Sequence, residues 1–159
     1  MNNLTPLVKG LITGVLMVAF SLVLVYLPEN SPAAYITYAL YAGGIIWTLI
    51  AFSKTPAFTG KFSELFAQGF RCFIAVTIVM VTYIGIYSFV HPELADKESI
   101  GIREGMTKEK ALPPEIEKSV ADAKKSFVTR SVYSAAFGTF IIGAIFTLAG
   151  STLVLMRRK

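Results

Sequence analysis

Four stretches of the chain are apolar at nearly every position, and shorter stretches between them carry apolar residues at helical spacing among polar ones. Leu7–Leu27, Ala34–Phe52, Cys72–Val90 (with Arg71 at its mouth, so 71–90) and Ser131–Met156 each approach or exceed the ~20 residues that carry a helix across a bilayer core. The pattern predicts an all-α membrane protein of four spans: 7–27, 34–52, 71–90 and 131–156. Lys9 is the one charge inside these blocks, near the start of the first, where a lysine can snorkel to the headgroups. The fourth block is longer than the hydrocarbon requires, so it should tilt or project.

The connections differ in kind. Pro28-Glu29-Asn30-Ser31-Pro32 has the residues of a tight turn, making the first two spans an antiparallel pair. Over 56–70, Phe58, Phe62, Phe66 and Phe70 recur with Lys61, Glu64 and Gln68 between them, which predicts a short amphipathic helix lying in the interface, an elbow that launches the third span. The connection 92–130 has a helical periodicity of its own. Pro92 and the acids after it suit a helix start, and Gly105 suits its end. Pro113-Pro114 opens a second helix with Ile116, Val120, Ala123 and Phe127 on one stripe. Nothing interrupts that helix before the fourth span, so 114–156 would be about 64 Å long. The stripe needs cover, and the 93–104 segment folded back on it would form a helical hairpin.

Charge sets the orientation. With the N-terminus inside, Lys9, Lys54, Lys61, Arg71, Arg157, Arg158 and Lys159 face one acid, Glu64, on the cytoplasmic side, a net of +6. The outer side then holds Glu29 and the 92–130 connection with its eight acids and eight bases, a net of −1. The positive-inside rule favours this arrangement, with both termini cytoplasmic and the hairpin extracytoplasmic. Tyr26, Tyr35, Tyr38, Tyr41, Tyr83, Tyr87 and Tyr133 then all fall toward the outer interface, where aromatics anchor. A cleaved signal peptide ending at Ser31-Pro32-Ala33 is the rival reading; the Gly10–Leu27 apolar run exceeds the 7–15 residues of a signal core. Composition agrees with lipid as the solvent: 54% hydrophobic, 16% charged.

Chemistry is sparse. The net charge of +5 has no basic run beyond Arg157-Arg158-Lys159 and no nucleic-acid fold motif behind it, so nucleic acid is not an expected partner. The span interiors hold no acid or histidine of the kind that ion-coupled carriers use. His91 has only Glu93 and Asp96 as companions for a metal, and Cys72 stands alone. No serine or threonine has a base beside it, so neither enzyme activity nor a cofactor is expected. The one pattern within the spans is small residues: Ala135, Thr139, Gly143, Thr147 and Ser151 at every fourth position, and Gly10 and Gly14 in the first span. Such stripes let helices approach closely, either inside one copy or at a seam with a membrane-protein partner or a second copy.

Gly10 and Gly14, the segment Phe62-Ser63-Glu64-Leu65-Phe66-Ala67-Gln68-Gly69-Phe70-Arg71, His91-Pro92-Glu93-Leu94, Glu104-Gly105-Met106 with Ile116 after it, and the basic C-terminal end together resemble the bacterial four-helix membrane proteins classed as domain of unknown function 4199. The resemblance covers nearly the whole chain. It implies a multi-pass protein of the bacterial inner membrane and brings no activity and no functional residue. The expected function is that of an accessory or scaffold subunit working through protein contacts in the bilayer; the alternative is a small oligomeric channel or lipid-handling protein lined by Thr and Ser hydroxyls.

Overall fold

In the computed structural model, described over residues 4–26, 32 and 34–157, the chain folds into five helices with no strand among the described residues. They are α1 (Pro6–Leu24), α2 (Ala34–Ser53), α3 (Phe62–Val90), α4 (Glu93–Lys108) and α5 (Pro113–Met156). All but α4 include stretches long and apolar enough to cross a membrane. Most of the turn expected at 28–32 and the basic pair Arg158-Lys159 lie outside the described residues.

Local chemistry sets the helix ends. Thr5 caps α1 by accepting from the Val8 N–H at 3.3 Å, and Pro6 follows where its missing N–H costs nothing. The expected break between an interfacial helix over 56–70 and a span from 71 does not occur. Residues 54–61 are turns and coil, and α3 runs unbroken for 29 residues from Phe62. Gly60, at φ +91°, turns the chain, and Glu64 in the first turn accepts from the Thr59 N–H at 2.8 Å and its hydroxyl at 2.5 Å. That closure starts the helix at Phe62, and nothing at 70–71 stops it. Likewise α4 does not end at Gly105. It continues to Lys108 and leaves through Lys110, at φ 58°, while the Ala111 N–H donates to the Met106 carbonyl at 3.0 Å. An interior glycine costs only about 1 kcal/mol, too little by itself to end the helix.

The chain forms two compact units, Met1–Met80 with Ala136–Lys159, and Val81–Ala135, so α3 and α5 contribute to both. In the first unit the core is Met17 of α1, Tyr41, Ile45 and Leu49 of α2, Leu65, Phe73 and Val76 of α3, and Thr147 and Ser151 of α5. Its large aliphatic side chains Leu7, Leu11, Val15, Ile141 and Ile145 point outward. An interior of small and hydroxyl residues with leucine outside is what packing in lipid favours, because there the apolar side chains gain nothing by hiding. Tyr41 is not an interfacial anchor: it is 1% exposed and donates to the Thr139 carbonyl at 2.9 Å.

In the second unit α4 and the first turns of α5 are joined by ion pairs in antiparallel register. Arg103 meets Glu117 at 2.6 Å, Asp96 meets Lys124 at 2.7 Å, and Glu98 meets Arg130 at 2.6 Å. Ile116, Val120 and Ala123 of α5 and Ser99 of α4 are buried.

Candidate functional site

The small-residue pattern resolves into contacts within the first unit. Gly10 and Gly14 face α3: a methyl group on Gly10 would strike the Cys72 carbonyl, and one on Gly14 would lie 2.9 Å from Val79 Cβ. Gly143 abuts Tyr41 and Phe73, where an added Cβ would come within 2.8 Å of the Phe73 ring. Gly69, one turn before Phe73, meets the Thr147 methyl, which leaves room for no Cβ. Thr147 and Ser151 are 0% exposed, and their hydroxyls have no hydrogen-bond partner among the described residues. Thr139 donates to the Ala136 carbonyl at 3.3 Å. These five positions therefore split: Thr139, Gly143, Thr147 and Ser151 lie in the first unit and Ala135 in the second, where it lines a crevice of about 640 Å³ with Tyr87, Ser88 and Phe127.

The four phenylalanines of the expected elbow also divide. Phe58 packs edge-on to Phe52 at 5.7 Å. Phe62, Phe66 and Phe70 stack along α3 at 6.0 and 6.3 Å, and the ladder continues through Phe73 to Phe140 of α5 at 4.9 and 5.4 Å. The buried face of that segment is instead Leu65, Gly69, Cys72 and Phe73, with Phe62 and Phe70 each 39% exposed. The sulfur of Cys72 lies 3.3 Å from the Thr48 hydroxyl.

On α5 the predicted stripe is buried at Ile116, Val120 and Ala123 and half-buried at Phe127. The carboxylate of Glu117 beside it is held below the usual range by hydrogen bonds from the Arg103 guanidinium, whose own value is raised by the same contact. His91 Nδ1 lies 2.6 Å from Glu93, and that hydrogen bond holds the Glu93 carboxyl down. Asp96, the other companion proposed for His91, is committed to Lys124. Among the described residues, no three His, Cys, Asp or Glu side chains gather as a metal would require.

Sequence reading missed the site at the start of α1. Lys9 is 7% exposed, and its ammonium stands 5.4 Å from the centre of the Trp47 ring. Its side chain lines an open cavity of about 310 Å³ together with Thr5, Thr48, Thr55 and Gln68. The signal was present in the spacing: Lys9 precedes Gly10 and lies one turn from Thr13, and all three are on the packed face of α1.

No family model, no curated protein and no solved structure matches this chain.

Proposed function

We propose that the chain is an accessory or scaffold subunit of a bacterial inner membrane, with both termini cytoplasmic and residues 92–130 folded outside as a helical hairpin that docks another membrane protein. The observation that carries this reading is the α4–α5 pairing. Three ion pairs set the register of α4 along a stripe that is already buried, so the outward side of this element is a charged platform. Ile100 and Leu112 stand exposed among its charges, the mixture that a docking face uses. Thr147 and Ser151 are fully buried within one copy, which favours this reading over a channel lined by their hydroxyls. The resemblance to the four-helix bacterial family fits this placement.

The orientation is tested by Ser119→Cys with Cys72→Ser, probed by a membrane-impermeant thiol reagent. Labelling in intact spheroplasts is the expected result, and labelling only after lysis would reverse the topology. The docking role is tested by placing a photo-crosslinking residue at Ile100 and, as control, at lipid-facing Leu11. A discrete heterologous adduct from position 100 alone is expected. Recovery of an uncrosslinked monomer from position 100, in intact membranes and in several detergents, would sink the scaffold reading.

A further inference from the structure

From the cavity at the start of α1 we infer a binding site for a phosphate-type oxyanion, with Lys9 as its cation. A lysine packed this far into protein favours a negative group within reach of its ammonium. Among the described residues Lys9 has no such partner. Among the described residues of the first unit the only acid is Glu64, and both of its oxygens are taken by Thr59. What Lys9 does have is the face of Trp47, a weaker compensation than a counter-ion gives.

The cavity supplies what an oxyanion needs besides charge. The N-terminal end of α1 opens into it at Thr5 and Pro6; with the Val8 N–H already capped and Pro6 lacking one, it brings the positive end of the helix dipole rather than a set of free N–H groups. The Gln68 side chain on its wall can donate a hydrogen bond, while the Thr48 and Thr55 hydroxyls already donate to the Gly44 and Phe52 carbonyls and keep lone pairs for a protonated ligand oxygen. Leu4, Ala51, Phe52 and Ala57 complete the lining, so the cavity is apolar with a few convergent polar groups. At about 310 Å³ it is large enough for a phosphate and a short attached group. The same oxyanion could come from the headgroup of an acidic phospholipid or from solution. The site is separate from the docking face proposed on α4 and stands without it.

Trp47 is the only tryptophan in the chain and stands 5.4 Å from the proposed cation, so its fluorescence serves as a probe of occupancy. The full chain in a nonionic detergent is titrated with short-chain phosphatidylglycerol, with phosphatidylcholine of the same chain length, and with inorganic phosphate. A saturable change with phosphatidylglycerol is expected, weakened roughly tenfold or more in Lys9→Met and largely kept in Lys9→Arg. Gln68→Leu, at a partly exposed position that tolerates change, should weaken it as well, and this variant serves if Lys9→Met does not fold. Inorganic phosphate acting at the same concentration as the lipid assigns the site to a free anion; phosphate acting only at far higher concentration assigns it to a lipid headgroup. Equal responses to phosphatidylcholine and phosphatidylglycerol, or titrations unchanged in both Lys9→Met and Gln68→Leu, overturn the inference.

Discussion

In the unit containing α1 and α2, helices meet through glycine and hydroxyl side chains; in the unit containing α4, they meet through three ion pairs around a narrow aliphatic stripe. Each means is the one that a different surrounding solvent would favour. Where lipid surrounds the helices, leucine and isoleucine gain nothing by facing inward, so stability comes from how closely backbones approach. Where water surrounds them, burying Ile116 and Val120 is itself favourable, and the charges serve to choose the register. Glycine-to-alanine should therefore have opposite signs at a packed seam glycine of the first unit and at an open glycine of the second.

The largest effect should come from Gly10→Ala. The added methyl would meet the Cys72 carbonyl, a backbone atom that cannot swing aside, and then the Ala75 side chain at 2.8 Å. Forced separation of α1 from α3 should cost toward the upper end of the roughly 1–3 kcal/mol typical of overpacking. It would be read as a lowered thermal midpoint in detergent. Gly105→Ala, within α4 where nothing lies near the added methyl, should instead stabilise by roughly 0.5–1 kcal/mol through helix propensity. If both variants move the same way, the contrast between the units fails.

Next in size is Ile116→Ala. Ile116 is 9% exposed at the α4-facing end of the stripe, and its truncation should remove about 2 kcal/mol, the low end of the aliphatic-to-alanine range. Amide exchange would show it as lost protection in α4, residues 93–108, with the α1 amides unmoved. Unchanged protection in α4 would mean that the stripe is not what holds it.

Much of this arrangement was legible in the chain, and the failures have physical causes. The four spans are visible because an apolar run of about 20 residues has no use in water. The stripe from Ile116 to Ala123 was readable because a 3.6-residue period in polar surroundings marks a buried face. The same period misled at Phe62, Phe66 and Phe70. Periodicity reports that a helix has two faces, and says nothing of whether it lies flat or continues into the next span, which here Phe62–Val90 does. The bulky aromatics marked the more exposed ridge, while Leu65 and Gly69 marked the buried one. Lys9 escaped for a related reason. A charge near a span end has water within reach along the chain, and only the depth of the α1–α3 seam and the position of Trp47 across from it turn that lysine inward. Depth and cross-helix neighbours are tertiary facts that no single-helix pattern carries.

The smallest effect belongs to the ion pairs, and it separates register from stability. Arg103 grips Glu117 through two contacts, 2.6 and 3.1 Å, but both side chains are well exposed, so the pair works against solvent and salt. Because the Glu117 carboxyl lies below its ordinary value in the folded chain, its contribution is complete above the unfolded value, near 4.3, and is lost as pH falls through the lower folded one. Acid should therefore loosen the far end of α4, around Arg103, once exchange rates are corrected for pH, while the chain remains stable to pH from neutrality down to about 5. Raising salt to about 1 M, where screening reaches within about 3 Å, should produce a weaker version of the same loosening at neutral pH. Glu117→Gln should abolish the acid step at Arg103 and leave the burial of Ile116 and Val120 intact. Loss of the whole α4 protection pattern in that variant would show that the charges, and not the stripe, carry the stability of this unit.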